Sequence, residues 1–286
     1  MNKPISYLAL LCLSTTLFAQ DDSGYALGVG AAVDNGDGST FSLLGNYIVN
    51  DAIMLSASFA TTQADGAPDS VQTRDWEIGG QYDFGPIGVE VYGGQSGDPD
   101  DFDSQDLSAG LYHFGDHWRW SVRYLERDID LILRTPNLER VDDISVPLKA
   151  DGWRVGLGYK TDGGFRINAS SRWFDYDRDL SLLGTRVIVQ RLSPTSLTLA
   201  TSLLDRSDSL RAEWKVGDQS AFNVSVTRDE LAGDLGIADT LSVGFLTPAG
   251  ATGDLDISVG VSEGGDGLDG NTVFLSVFYL FYGGFN

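Results

Sequence analysis

Apolar side chains recur at every second position along almost the whole chain, and no segment supplies a second apolar layer for them to pack against. The stretch Gly152 to Trp173 shows the unit. Trp153, Val155, Leu157 and Tyr159 alternate with Arg154, Gly156, Gly158 and Lys160. After the turn Thr161 to Gly164, Phe165, Ile167 and Ala169 alternate with Arg166, Asn168 and Ser170. Period-two alternation marks a β-strand with two unlike faces, and two such runs around a glycine-containing turn form a hairpin. A soluble sheet alternates as well. The deciding feature is repetition with no apolar partner left over.

The same alternation appears at Tyr25 to Ala31, Phe41 to Val49, Ile53 to Phe59, Trp76 to Phe84, Ile87 to Val91, Leu107 to Leu111 and Trp118 to Tyr124. A weaker run lies at Val187 to Arg191, and another strand at Leu197 to Leu203. Further strands follow at Leu210 to Trp214, Phe222 to Val226, Leu241 to Phe245, Leu255 to Val259 and at the C-terminus. This predicts an all-β chain of about sixteen strands, with fourteen as the alternative.

Connections alternate in length. Asn50-Asp51, Gly85-Pro86, Gly115-Asp116, Thr161 to Gly164, Ser193-Pro194, Gly217 to Ser220 and Pro248 to Gly253 read as tight turns. Gln63 to Ser70, Gly97 to Ser104, Asp128 to Leu148, Asp177 to Thr185, Arg228 to Gly236 and Ser262 to Gly270 read as longer loops. Asp34 to Ser39 and Asp205 to Asp208 read as short turns on the long-loop side. The Asp128 to Leu148 connection, with Leu131, Ile132 and Leu133 in it, either extends its strands outward or folds inward.

The first residues break the pattern. Lys3, an apolar run from Ile5 to Phe18 and the small Ala19 read as a secretory signal peptide over residues 1–19, leaving residues 20–286 as one β domain. The run is too short for a spanning helix, which needs ~20 apolar residues. The one cysteine, Cys12, falls in this segment, so no disulfide or zinc-thiolate site is expected in the remainder. With 41 acidic against 19 basic residues the net charge is −22, which disfavours nucleic acid as a partner.

The C-terminal stretch carries the most specific signal. Leu275, Val277, Tyr279, Phe281, Gly283 and Phe285 occupy every second position up to the penultimate residue. This resembles the terminal strand of Gram-negative outer-membrane β-barrels, whose alternating apolar residues end in a C-terminal aromatic; here Asn286 follows the aromatic. The resemblance implies a transmembrane, antiparallel, up-and-down β-barrel in the outer membrane. It implies outer-membrane lipid and lipopolysaccharide as surroundings. It also implies engagement of the barrel-assembly machinery through Leu275, Val277, Tyr279, Phe281 and Phe285.

In such a barrel the polar alternates face the lumen. Asp75, Glu77, Asp83 and Glu90 fall on the fourth and fifth strands; Arg119, Arg123, Arg127, Arg154, Lys160, Arg166 and Arg172 fall on the seventh to ninth. The expectation is an acidic wall facing a basic wall. It resembles the charged pore lining of general porins, which sorts hydrated solutes by charge and size. That implies passive, porin-like diffusion of small polar or ionic solutes. The alternative is a closed barrel, its lumen filled by charge pairs, whose acidic outer loops GDPDDFDSQD and ERVDD bind a partner or surface polymer. A soluble secreted β-protein is a third reading.

Trp76, Tyr82, Trp118, Trp120, Trp153, Tyr159, Trp173 and Trp214 fall near expected strand ends, as girdles at the two membrane interfaces would. Catalysis in such barrels calls for a histidine beside a serine or carboxylate. His113 and His117 instead flank a tight turn with no nucleophile motif around them, so no catalytic residue, metal site or cofactor is expected.

Overall fold

The computed structural model describes residues 24–36, 38–64, 71–98, 102–133, 144–178, 203–217, 220–234, 236–265 and 271–284. The expected signal peptide with Cys12, the Ser193-Pro194 turn, the loop run ERVDD, and Phe285 with Asn286 lie outside the described residues. Alternation of apolar with polar or small residues produces β1 (Gly24–Asp34), β2 (Ser39–Asn50), β3 (Ile53–Ala64), β4 (Val71–Asp83), β5 (Ile87–Asp98), β6 (Phe102–Phe114) and β7 (Trp118–Leu133). Then come β8 (Ile144–Lys160), β9 (Phe165–Tyr176), β10 (Leu204–Val216), β11 (Ser220–Leu231), β12 (Gly236–Pro248), β13 (Gly253–Gly265) and β14 (Asn271–Gly284). Each strand pairs antiparallel with its sequence neighbours. The sheet closes where β1 meets β14, from Gly24 opposite Gly284 to Asp34 opposite Phe274.

The closed sheet has fourteen strands among the described residues, the alternative number rather than sixteen. Two local features account for the difference. Asp205 to Asp208, expected as a turn, is the outer end of β10, where Arg206 pairs in register with Trp173 and salt-bridges Asp208 at 2.8 Å. The strands expected at Val187 to Arg191 and from Leu197 fall in residues 179–202, outside the described residues, and β9 pairs directly with β10 without them.

One rim carries only short connections: residues 51–52, 84–86, 115–117, 161–164, 217–219 and 249–252. Gly85 and Gly164 turn the chain there with φ of 95° and 81°, a region that side-chain-bearing residues rarely enter. The other rim is taller than expected. β7 and β8 stay paired as far as Leu133 and Ile144, so most of the Asp128 to Leu148 connection is strand. Likewise Asp98 pairs with Phe102, which leaves only residues 99–101 between β5 and β6.

A bilayer offers no water to unpaired N–H and C=O groups, so a sheet can cross it only when closed on itself. Closure fixes which side chains face outward. Leu27, Leu43, Leu55, Ile78, Val91 and Leu111 are exposed on the outer face, as are Val122, Val155, Leu210, Leu241, Val259 and Leu275. In a soluble protein an apolar patch of this extent would aggregate; around a barrel it meets lipid tails.

Aromatic rings bound the belt. On the short-turn side Tyr25 meets Phe281 at 5.9 Å, Trp118 meets Tyr159 at 4.6 Å and Phe165 meets Trp214 at 5.6 Å. On the tall side Tyr124 packs on Trp153 at 5.3 Å, and Trp153 pairs in register with Trp173. Above that girdle the outward residues turn charged, with Lys149 and Asp128 at 3.1 Å.

Arginine in place of Val259, midway along β13 and 51% exposed on the outer face, is expected to destabilise the folded barrel by about 2–4 kcal/mol. Urea unfolding in lipid vesicles reads this; a change below about 0.5 kcal/mol would contradict the lipid-facing assignment of that face.

Candidate functional site

Strand parity delivers all eleven expected charged residues to the inward face. Asp75, Glu77 and Asp83 come from β4 and Glu90 from β5. Arg119, Arg123 and Arg127 come from β7, Arg154 and Lys160 from β8, and Arg166 and Arg172 from β9. They do not form two opposed walls. The acids on β4 and β5 and the bases on β7 to β9 belong to one contiguous part of the barrel, and within the set Glu90 pairs with Arg123.

Arg119, Arg123 and Arg127 are spaced four residues apart on β7, about 13 Å per step along the strand. Each step has its own partner. The Arg119 Nε donates to Asn168 Oδ1 at 3.0 Å. Arg123 donates from Nε to Glu90 Oε1 and bridges from Nη2 to Oε2, both at 3.0 Å. Arg127 forks onto Asp106, Nε to Oδ1 at 2.6 Å and Nη2 to Oδ2 at 2.9 Å. Aromatic rings back two of these guanidiniums: Arg123 lies 4.2 Å above the Tyr92 ring and Arg127 4.5 Å above Phe174.

The Tyr92 ring depends on a missing side chain. It lies over Gly79 of β4, where a β-carbon would fall inside the ring. Tyr92 Oη in turn accepts from Gln81 Nε2 at 2.8 Å, and Gln81 also donates to Glu90 at 3.3 Å. Glycine, tyrosine and glutamine therefore set the position of the Glu90–Arg123 pair.

One row across the sheet is unusual. Arg123 is directly opposite Arg154, and Arg154 is directly opposite Arg172. Like charges facing each other across strands cost stability, so the row needs acids or solvent around it. Glu77, Arg123, Arg127, Arg154, Arg172 and Phe174 line one cavity in this wall.

A second charged network lies nearer the short-turn rim. Arg166 meets Glu213 at 3.4 Å and Arg211 meets Asp256 at 3.6 Å. The residues Asp106, Arg211, Glu213 and Asp256 were not singled out from the sequence, although each alternates with apolar neighbours. The other half of the lumen is lined by hydroxyl pairs, Ser225–Ser242 at 2.6 Å, Thr240–Ser262 at 2.8 Å, Ser258–Ser276 at 3.0 Å and Thr40–Thr62 at 2.9 Å.

The outer end of the charged half is apolar inside, which the sequence did not announce. Phe102, Ile129, Leu131 and Leu148 pack with Leu203 and Ala232, and a second cluster joins Ala150, Phe174, Leu204 and Leu231. Both clusters reach from β6–β9 to the start of β10 and the end of β11. They place apolar side chains on the inward face at the tall end.

His113 and His117 sit on the short-turn rim. His113 Nδ1 contacts the Pro86 carbonyl oxygen and its ring stacks on Trp120 at 5.9 Å, while His117 Nδ1 lies 3.1 Å from the Lys160 carbonyl oxygen.

The architecture defines a transmembrane β-barrel of the outer-membrane type, and the bacterial outer membrane is its location. No protein-family model matches the chain, and no curated protein sequence matches it. Solved structures share the fold. The monoaromatic hydrocarbon channel CymD aligns with a TM-score of 0.56 over 93% of this chain and 89% of its own, at 11% identity. The OmpT outer-membrane protein of Vibrio cholerae, in its trimer form, aligns at 0.47 over 92% and 98%, with 10% identity. The KdgM porin aligns at 0.44 over 90% and 98%, with 7% identity.

Glu90→Gln is expected to destabilise the barrel by about 3 kcal/mol, because it leaves the largely buried Arg123 guanidinium, 15% exposed, without its counter-charge. Adding Arg123→Met to that variant is expected to recover most of the loss. Equal stabilities for wild type and single variant in urea unfolding would show that the pair is already fully hydrated.

Proposed function

We propose that this barrel is a passive channel for small polar or ionic solutes, which diffuse through a water-filled, charged lumen. Fourteen strands spaced ~4.8 Å apart and tilted ~40° enclose a backbone radius of about 14 Å. That radius is too wide for side chains from one wall alone to fill. The observation that carries the reading is the Arg123–Arg154–Arg172 row: three cations abreast on the inward face are tolerable where water and mobile ions screen them.

Acids and bases interleave on the same wall, so the filter acts locally and does not impose one sign on the whole pore. A solute crossing the lumen slides between a charged half and a hydroxyl-lined half. Both can replace hydration water without binding tightly, which is what conduction requires. CymD, a monoaromatic hydrocarbon channel with the same fold, is in keeping with this reading. Nothing in this mechanism uses bond chemistry, and the two histidines have no part in it.

One observation favours a second reading. The apolar clusters around Ile129 and Leu204 put buried apolar side chains on the inward face at the tall end, which suits a closed barrel whose outer surface binds a partner or polymer.

Replacing Arg154 and Arg172 together with glutamate is expected to move the reversal potential, measured across a salt gradient in a planar bilayer, toward cation selectivity. An unchanged reversal potential in a conducting double variant would contradict the pore-lining assignment. A barrel that is folded and inserted but carries no current would favour the second reading.

A further inference from the structure

Charge is unevenly divided along the lumen. On the short-turn side of the Arg123–Arg154–Arg172 row, the inward positions of β7 to β10 hold Arg119, Lys160, Arg166, Arg211 and Lys215 against one acid, Glu213. Glu213 is shared between Arg166 at 3.4 Å and Arg211 at 4.0 Å, and Asp256 of β13 meets Arg211 at 3.6 Å. Asp83 of β4 lies in register with Ser121 of β7 but three strands away, where it accepts from Tyr112 Oη at 2.7 Å. Even with Asp256 counted, five cations face two acids here.

Arg119 is held without a counter-charge. Its guanidinium crosses the bare backbone of β8 at Gly158 and meets Asn168 on β9, where Nε and Nη2 both donate to Oδ1. A β-carbon on Gly158 would fall 2.6 Å from Arg119 Cγ and 2.7 Å from Asn168 Oδ1, so a side chain there would displace the pair. A neutral amide oxygen fixes the guanidinium and leaves its charge in place. Two residues along β9, about 7 Å away, Arg166 stands directly opposite Lys160, a like-charge pairing that repels. Gly156 and Gly158 floor the wall between these groups, with Ser121 Oγ beside the first.

A cation at this patch meets an excess of its own sign. A small oxyanion instead accepts charge-assisted hydrogen bonds from planar guanidinium donors and eases the repulsion between Arg166 and Lys160. Chloride gains the charge but not the paired geometry. Because Asn168 and Glu213 already take some of the donors, an oxyanion is held loosely enough to leave again, as conduction requires.

Building on the channel reading, we propose that the glycine-floored patch between Arg119 and Arg166 is a transit subsite for small oxyanions, either carboxylates or inorganic phosphate. Arg119 and Arg166 donate to the oxygens, and Lys160 adds charge.

The test is chloride current through the folded full barrel in a planar bilayer, in dilute potassium chloride, with inorganic phosphate or acetate added in separate runs. Block by either anion supports the subsite, and the stronger blocker marks the class of solute. Asn168→Asp gives Arg119 a counter-charge without removing it, and Arg119→Gln removes the charge. Each is expected to raise the half-blocking concentration about threefold or more. The ratio of blocked to unblocked current is read in one channel at a time, so a lower yield of folded barrel does not mimic it. Chloride current that neither anion lowers, or block that both variants leave unchanged, would overturn the subsite while leaving the channel intact. If the inserted barrel carries no current, the channel reading falls. The phosphorus NMR line width of inorganic phosphate titrated with the barrel in maltoside detergent then decides the subsite. Broadening that Asn168→Asp abolishes supports it; no broadening, or broadening that this variant leaves unchanged, overturns it.

Discussion

The structure depends on one requirement: within lipid, every backbone N–H and C=O must find a partner in the sheet itself. A fourteen-stranded sheet meets it by joining its first strand to its last, Gly24 against Gly284. Once the sheet is closed, side-chain direction is no longer free. Each odd or even position on a strand belongs to lipid or to lumen, and a one-residue slip would exchange the two. The continuous registers from β1 to β14 hold Val122 and Val155 outside and Arg123 and Arg154 inside.

Function is then a matter of what the inward set contains. An eight-stranded barrel of this composition would pack its charges into a solid interior. Here the wider circumference separates a charged half from a hydroxyl half, and ion pairs tie Arg123 to Glu90, Arg127 to Asp106, Arg166 to Glu213 and Arg211 to Asp256. The pairs are held by rigid neighbours: Tyr92 seated on Gly79, Phe174 between Arg127 and Arg172.

The sequence was legible wherever lipid enforced the alternation. The outer belt, the short turns at Gly85-Pro86 and Gly115-Asp116, the girdle tryptophans and the inward direction of Arg119, Arg123 and Glu90 all followed from period two. It was misleading above the membrane. There the outward face is no longer apolar, so Asp205 to Asp208, Gly97-Asp98 and Asp128 to Leu133 read as loop although the backbone remains paired. The inward apolar clusters were hidden for the same reason: Ile129 and Leu131 alternate with charged outward residues, which inverts the pattern found lower on the same strand. Opposed walls of charge were expected because a linear sequence shows which strands carry acids and bases. It does not show that Glu90 on β5 comes within pairing distance of Arg123 on β7, two strands away.

The central claim is that parity divides the chain between a lipid face and a hydrated lumen, and cysteine accessibility tests it most directly. Cys12 is the chain's one cysteine and lies in the expected signal peptide, so single cysteines can be read without background. Cysteines placed one at a time at Ser121, Val122, Arg123, Arg154 and Val155 in the membrane-inserted barrel would be exposed to a small, charged, water-soluble thiol reagent. The account predicts labelling at Ser121, Arg123 and Arg154 and protection at Val122 and Val155. Protection at all five positions would contradict a hydrated lumen, and labelling at Val122 and Val155 would contradict the assignment of faces.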